Sequence, residues 1–207
     1  MRIPKHIGVI PDGNRRWAVE HGMGKKDGYE KGLDPGLALY KACKQRGVEE
    51  ITYYGFTVDN TKRPSEQRLA FTKACVDAVE LLAKEDAELL VLGNFGSKMF
   101  PKELLPYTTR KTFGKGGMRI NFLVNYSWEW DTGYEKKEIN GPLKSKDVSR
   151  VDLVIRWGGR KRLSGFLPLQ SVYSDFYFLD AFWPDFQESH LEDAIRWYNQ
   201  QEISLGG

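Results

Sequence analysis

Short apolar runs alternate with longer amphipathic segments along most of the chain. The runs are rich in β-branched and aromatic residues, as buried strands usually are, and they lie at 7–10, 50–58, 88–92, 118–126 and 151–156. Segments of helical periodicity separate them, and consecutive strands joined by helices pair in parallel. The pattern therefore predicts an α/β fold with a mainly parallel central sheet flanked by helices.

Helical spacing of apolar residues indicates where the intervening helices lie. They are predicted at 17–21, about 35–44, 65–84, 101–113 and 188–200. The helix at 65–84 begins with a cap signal, Ser65-Glu66, directly after Pro64. Residues 127–150 are polar without periodicity and predict a loop or a frayed helix, while the aromatic stretch 171–182 predicts a partial strand.

Length and composition narrow the class of protein. At 207 residues the chain can form one sizeable core but hardly two, so 1–207 is taken as a single domain. The net charge of +3 is spread along the chain, which disfavours a nucleic-acid-binding module. No apolar run approaches the ~18 residues of a transmembrane helix, and Pro11 comes too early for a signal peptide. We therefore expect a cytosolic protein in which Cys43 and Cys75 are buried free thiols.

The first strand ends in a turn suited to an anion. Asp12-Gly13-Asn14 offers backbone N–H groups at the start of a helix, and Arg15 and Arg16 follow on its first turn. A diphosphate fits that description. The alternative is a plain strand–turn–helix connection in which the side chain of Asp12 or Asn14 caps the helix.

Two further polar loops follow strands of the predicted sheet. Residues 57–64 follow the second strand, and the run 157–164 follows the last one, where Arg156, Arg162 and Ser164 flank two glycines. Ligands of open α/β sheets bind at the carboxyl ends of the strands, so the last loop predicts a second anion-binding turn. The alternative for it is a solvated basic loop.

Three segments in order resemble the signatures of the cis-prenyl diphosphate synthases. They are HIGVIPDGNRRWA, FTVDNTKRP and VDLVIRWGGRKRLSGFLPLQSVYSDFYFLDAFWPDF. The resemblance covers nearly the whole chain and implies an α/β homodimer with a parallel sheet of about six strands and an apolar tunnel for the product. It also implies Mg²⁺ as cofactor and prenyl diphosphates as substrates.

The resemblance implies roles for individual residues. Asp12 matches the carboxylate that holds Mg²⁺ on the allylic diphosphate, and Asp175 stands where a glutamate usually assists with the metal. Asn60 with Arg63 matches a pair implicated in condensation and proton removal, for which Thr57 is a further relay. The phosphate loop of the allylic substrate matches Gly13, Asn14, Arg15, Arg16 and Lys25, the last in place of a usual arginine. The binders of the second diphosphate match Arg156, Arg162 and Ser164.

Several positions depart from the chain-elongating pattern. Thr61 replaces a usual tryptophan, Tyr29 replaces a usual histidine, and NYSWEWD replaces NYGGRxD. The sequence also ends without the usual Arg-x-Gly, and the 127–150 region is short, so we expect a short product. Trp157, with Trp128 or Trp130, is predicted to shield a cation through its π-face, the alternative being plain core packing.

These departures resemble the offshoot that couples two dimethylallyl diphosphates head to middle into lavandulyl-type products, with cyclisation left open. An ordinary short-chain synthase that uses isopentenyl diphosphate is the alternative. A non-catalytic subunit of a heteromeric synthase is a minor alternative, since such subunits usually lose the Asp and Arg residues kept here. The aromatic stretch 171–186 predicts that the chain forms a homodimer.

Overall fold

The computed structural model describes residues 2–134 and 141–202. In these two stretches it contains seven strands and five α-helices. The strands are β1 (His6–Ile10), β2 (Glu50–Tyr54), β3 (Ala87–Leu92), β4 (Lys111–Phe113), β5 (Met118–Leu123), β6 (Leu153–Arg156) and β7 (Asp175–Phe178). The helices are α1 (Asn14–Glu20), α2 (Leu33–Gln45), α3 (Ser65–Leu82), α4 (Trp128–Thr132) and α5 (Glu188–Asn199).

All seven strands form one sheet in the order β4-β3-β5-β2-β1-β6-β7. Every pairing is parallel except that of β3 with β4. The predicted α/β fold with a mainly parallel sheet is thus confirmed. Because β1 lies between β2 and β6, the turns that leave the carboxyl ends of these three strands emerge side by side.

Strand β4 lies where a helix was predicted. The segment 101–113 forms a 3₁₀ helix at Lys102–Tyr107 and then the edge strand β4, so the prediction of a helix there is wrong. Pro106 has no backbone N–H to donate and limits the helix. Glycines after β4 then return the chain to β5, beginning with Gly114 at φ 54°.

Other predicted elements are present with shifted ends. β2 stops at Tyr54, four residues before the predicted end, because the chain turns into a 3₁₀ helix at Val58–Lys62. α1 begins at Asn14, three residues earlier than predicted. The segment 127–150 contains the short helix α4, whose first turn is capped by the hydroxyl of Ser127, while residues 135–140 of it lie outside the described part.

The sheet separates two apolar clusters. One contains Leu39 of α2, Val79 of α3 and Leu191 of α5, and the other contains Phe166 and Leu167 of the segment between β6 and β7. Side chains alternate between these faces along each strand. Both cysteines are buried free thiols, and burial raises the pKa of each to about 12. Across 2–134 and 141–202, none of the helices combines the length and the hydropathy needed to cross a bilayer.

Candidate active site

A cavity of about 710 Å³ opens at the carboxyl ends of β1, β2 and β6. Its walls contain every predicted site residue except Asp175 and the tryptophans Trp128, Trp130 and Trp157. The predicted residues found there are Asp12, Gly13, Asn14, Arg15, Arg16, Lys25, Tyr29, Thr57, Asn60, Arg63, Arg156, Arg162 and Ser164. Three loops that are far apart in sequence therefore meet at one site.

The turn after β1 presents Asp12 to the cavity instead of using it as a helix cap. Gly13 precedes α1 with φ 108°, a left-handed conformation that glycine adopts readily. No side chain caps the N-terminus of this helix. The side-chain oxygen Oδ1 of Asp12 accepts from the backbone N–H of Gly13 at 2.7 Å. The side-chain amide of Asn14 donates to the carbonyl of Pro11 at 3.0 Å. The capping alternative for Asp12 and Asn14 is therefore wrong.

Two guanidinium groups surround the carboxylate of Asp12. Arg156 donates from Nη2 to Oδ2 at 2.9 Å, and its side chain is only 4% exposed. Arg16 lies 3.4 Å from Oδ1 and also donates to the carbonyl oxygen of Gly158 at 2.8 Å. The first turn is thus linked directly to the turn that follows β6.

The turn after β6 is held in an unusual backbone conformation. Ser164 has φ 55°, and its hydroxyl accepts from Nη1 of Arg156 at 2.8 Å. Arg160 and Arg162 are exposed, yet both line the cavity. The loop is solvated, as in the alternative interpretation, and it also contributes two cations to the site, beside Arg156 at the end of β6.

The polar loop after β2 is ordered by reciprocal bonds between Thr57 and Asn60. The hydroxyl of Thr57 accepts from the backbone N–H of Asn60 at 3.3 Å. The side-chain oxygen of Asn60 accepts from the backbone N–H of Thr57 at 3.1 Å. This arrangement caps the 3₁₀ helix and fixes both side chains at the rim of the cavity.

Arg63 and an aromatic group form the opposite wall. Nη1 of Arg63 donates to the hydroxyl of Tyr29 at 3.0 Å, and its guanidinium lies 5.2 Å from the ring centre of Phe71. Tyr29 stacks on Phe71 at 4.5 Å between centroids, and Phe71 meets the buried ring of Phe56 edge on. Burial lowers the pKa of Arg63, which shows that its positive charge is incompletely solvated.

The charge balance of the cavity favours an anion. Seven basic side chains line it against the three carboxylates of Asp12, Glu20 and Asp59. Such an excess of cations in a concave site attracts phosphate groups.

Asp12 is the residue suited to hold Mg²⁺. The described residues contain no group of three His, Cys, Asp or Glu side chains that could bind a metal. Mg²⁺ typically takes one or two carboxylates together with substrate phosphates and water, so a single cavity-facing carboxylate fits this ion if a diphosphate supplies other ligands.

Two predicted site residues lie elsewhere. Trp157 is fully buried beside Trp183 and donates from Nε1 to His190 at 3.3 Å, so it packs in the core and shields no ligand. Asp175 begins β7 and pairs with Leu153, at the amino ends of the strands. The three further residues of the strand add ~10 Å, so within one chain Asp175 cannot share a metal with Asp12.

The predicted tryptophans of α4 also lie outside the cavity walls. Trp128 is tilted against Tyr134 at 5.3 Å, and Trp130 meets Tyr126 edge on at 6.3 Å. The aromatic surface of the site comes from Tyr29, Tyr54 and Phe71 instead.

Sequence reasoning missed Tyr54 and Phe71. Tyr54 is the last residue of β2, where the alternation of faces directs its side chain opposite to that of Tyr53. Phe71 lies one helical turn after Gln67, which accepts from Arg15 at 3.3 Å. The spacing of four puts both residues on one face of α3, but only the structural contact of Gln67 with Arg15 shows that this face meets the site.

Comparisons with known proteins agree with this architecture. Residues 10–206 match the family model described as "Putative undecaprenyl diphosphate synthase". An isoprenyl transferase of Chromobacterium violaceum is 33% identical over 98% of this chain and 88% of its own length. A (2E,6E)-farnesyl-diphosphate-specific ditrans,polycis-undecaprenyl-diphosphate synthase of Aliivibrio fischeri is 31% identical over 99% of this chain and 89% of its own.

A solved structure shares the fold. Lavandulyl diphosphate synthase from Lavandula x intermedia, in complex with dimethylallyl diphosphate, superposes with a TM-score of 0.82 over 99% of both chains at 23% identity. The match to the family model over residues 10–206, together with these relatives, confirms the resemblance predicted from the three signatures. The chain belongs to the undecaprenyl diphosphate synthase family of cis-prenyltransferases.

Proposed function

We propose that this prenyltransferase condenses two short prenyl diphosphates and uses dimethylallyl diphosphate as the donor. The observation that carries the proposal is the pairing of two cationic turns in one cavity, one after β1 and one after β6. Each turn is suited to one diphosphate. Their link through Asp12 and Arg156 supports the proposal, because two diphosphates bound at these turns would lie side by side, as a condensation requires.

The first turn would hold the leaving diphosphate. As the allylic C–O bond breaks, negative charge grows on that diphosphate, and fixed donors in the site stabilise it. Arg15, Arg16 and Lys25 line this part of the cavity. When bound at Asp12, Mg²⁺ would supply further charge neutralisation to the same group.

The second turn would hold the acceptor. Arg156, Arg162 and Ser164 orient its diphosphate so that its alkene faces the allylic carbon, and the pair of electrons of that alkene forms the new bond. Proton loss from the adduct then restores an alkene. The rings of Tyr29, Tyr54 and Phe71 provide an apolar surface with π-faces for the positive charge that develops.

A short product fits the aromatic wall. Tyr29 stacks on Phe71 with an interplanar angle of 6°, and the fully packed ring of Phe56 lies behind them. A growing chain that extends in this direction meets three packed rings, so we place the product among compact C10 diphosphates.

We further propose that the acceptor is a second dimethylallyl diphosphate, coupled head to middle. The replacements at Tyr29 and Thr61 support this, because Tyr29 is bound by Arg63 and Thr61 donates its hydroxyl to the carbonyl of Val58 at 2.6 Å. Neither can act as the usual histidine or tryptophan. The names of the curated relatives favour a second candidate, ordinary elongation with isopentenyl diphosphate.

A non-catalytic subunit is disfavoured because Asp12, Arg16 and Arg162 all line the cavity. Two assembly features complete the proposal. The exposed apolar side chains of Leu169, Val172 and Tyr173 favour a homodimer, and the two unpaired cysteines suit the reducing cytosol.

Product analysis tests the proposal. The protein is incubated with Mg²⁺ and dimethylallyl diphosphate alone, and the products are dephosphorylated and analysed by gas chromatography with mass spectrometry. We expect a branched or cyclic C10 alcohol. Linear Z-prenyl products that form only when isopentenyl diphosphate is added would establish the second candidate, and no product in either mixture would refute the condensation.

A further inference from the structure

We propose that Tyr54 positions the acceptor diphosphate site by holding Ser164 in its left-handed backbone conformation. The proposal rests on the assignment of the turn after β6 to a diphosphate. Tyr54 has no part in the chemistry described above beyond its ring face. Its hydroxyl donates to the carbonyl oxygen of Ser164 at 2.7 Å, across 110 residues of sequence.

The conformation of Ser164 requires external support. Its φ of 55° lies in the region that side-chain-bearing residues rarely adopt, and it is followed by Gly165 at φ 77°. Such a conformation persists where the surroundings fix it. Ser164 is exposed, so core packing does not supply that constraint. The two bonds that hold it are those to Tyr54 at its carbonyl and to Arg156 at its hydroxyl.

Tyr54 is itself rigid. Its ring meets Phe166 and Tyr126 edge on, at 5.4 Å and 6.2 Å between centroids, and the residue is 8% exposed. Burial raises the pKa of its phenol above the ordinary value, so the hydroxyl keeps its proton and remains a donor across the neutral range. A fixed donor on β2 thus anchors a strained residue of a surface turn.

The hydrogen bond from Tyr54 also affects Arg156, because Ser164 contacts both residues. The hydroxyl of Ser164 accepts from Nη1 of Arg156, whose Nη2 is bound to Asp12. If Ser164 relaxes to negative φ, its hydroxyl turns away, and Nη1 keeps only the carbonyl of Arg162, which belongs to the same turn. The guanidinium then no longer presents a fixed edge to the acceptor diphosphate, while the donor turn keeps its own contacts.

The test uses titration calorimetry of the full chain with inorganic pyrophosphate and Mg²⁺. Two variants assign the pyrophosphate-binding steps to the two sites. The step that Arg16→Ala weakens is the Arg16-dependent step, assigned to the donor site, and the step that Arg162→Ala weakens is the Arg162-dependent step, assigned to the acceptor site. Tyr54→Phe should weaken the Arg162-dependent step about three- to tenfold, the effect of one lost hydrogen bond, and leave the Arg16-dependent step unchanged. In turnover, the same variant should raise the KM of the acceptor more than it lowers kcat.

Tyr53→Phe is the matched control. Tyr53 precedes Tyr54 on β2 and donates to the carbonyl of Gly36 at 2.7 Å on the opposite face of the sheet. The Tyr53→Phe variant loses the same kind of tyrosine–carbonyl hydrogen bond, but away from the cavity. The affinities of both pyrophosphate-binding steps should therefore equal those of the wild type. Equal effects of Tyr53→Phe and Tyr54→Phe would overturn the proposal in favour of a general loss of stability.

A double-mutant cycle keeps the proposal testable if Tyr54→Phe affects folding. Ser164→Ala should weaken the Arg162-dependent step, and adding Tyr54→Phe should weaken it little further, because both changes break one chain of contacts. Full additivity would overturn the proposal, as would a pyrophosphate step that Arg162→Ala leaves unchanged. Two intact binding steps with no coupling product would instead refute the proposed function and leave the role of Tyr54 standing.

Discussion

Arg156 binds Asp12 across 144 residues of sequence, with Nη2 2.9 Å from Oδ2. A single buried guanidinium therefore touches the carboxylate suited to Mg²⁺ and belongs to the turn assigned to the acceptor. If the two diphosphates bind as proposed, occupation of one site would alter the partner available to Arg156 at the other.

Replacing Asp12 tests the centre of the site. Asp12→Ala should lower kcat by about a hundredfold or more, because the leaving diphosphate loses its metal-binding carboxylate. Steady-state kinetics measure the effect, and circular dichroism verifies the fold. Asp193→Ala, which removes an exposed carboxylate paired with Arg196 on α5, should retain wild-type turnover. Wild-type kcat in Asp12→Ala would exclude the assigned role.

Arg162 should act mainly on the second substrate. A diphosphate contact made equally in ground and transition states changes KM and spares kcat, so Arg162→Ala should raise the acceptor KM about tenfold. The neighbouring Lys161→Ala is the charge-matched control, since Lys161 does not line the cavity. Unchanged KM values for both substrates in Arg162→Ala would place that diphosphate elsewhere.

The aromatic wall should limit product length. Phe71→Ala removes the ring stacked between Tyr29 and Phe56, so products made with added isopentenyl diphosphate should grow by at least one C5 unit. Chromatography of the dephosphorylated products measures their length. Leu69→Ala, on the same helix with a side chain 66% exposed, should leave the products unchanged. An unaltered product from Phe71→Ala would show that another surface sets the limit.

Acid should destabilise the fold through His6. Burial lowers the pKa of His6, whose Nε2 lies 2.7 Å from the hydroxyl of Thr52 and whose Nδ1 lies 3.1 Å from the carbonyl of Ser149. The nearby carboxylate of Glu50 opposes this shift without reversing it. The unfolded chain then binds a proton near pH 6.5 and the folded chain at lower pH, so stability falls as pH drops through that window.

Urea unfolding between about pH 7.5 and about pH 5 measures this dependence. His6→Gln should reduce the slope of stability against pH, leaving the part contributed by His190, whose pKa burial also lowers. His190→Gln is the comparison variant, and it should remove only that remaining part. A wild-type slope in His6→Gln would contradict the assignment.

The apolar patch beside β7 should be a dimer surface. Leu169, Val172 and Tyr173 are more than half exposed, and β7 is the edge strand next to them. Light scattering at micromolar concentration should give twice the mass of one chain, and Val172→Asp should shift it toward the monomer. Phe95→Asp, at a residue equally exposed elsewhere, should keep the dimer. A monomeric wild type would refute this prediction.

Local patterns in the sequence predicted much of the fold. Buried parallel strands are continuous apolar runs, so β1, β3, β5 and β6 were recognised directly. β4 was missed because its three residues, Lys111–Phe113, are mostly exposed and leave no apolar signal. It pairs with β3 on the side away from β5, an arrangement that only the assembled sheet stabilises.

Site residues could be predicted where a sequence motif follows the end of a strand. They were harder to predict where packing against distant segments determines the position of a side chain. The positions of Asp12 and Arg156 follow from strand ends that meet at one edge of the sheet. The burial of Trp157 does not, because it depends on Trp183 and Phe186 from a distant segment. The hydrogen bond from Tyr54 to Ser164 joins the end of β2 to the turn after β6, and no pattern in the sequence indicates it.

The reciprocal bonds of Thr57 and Asn60 limit the proton chemistry. The side-chain oxygen of Asn60 accepts from the backbone N–H of Thr57, which orients the amide so that its N–H₂ group can still donate, and a neutral amide is too weak a base to take a proton. Asn60 can therefore donate to a diphosphate but cannot take a proton from the adduct. If, in the proposed coupling, a diphosphate oxygen held by this amide takes the proton, the enzyme would carry out its elimination step with a reagent that it releases after every turnover.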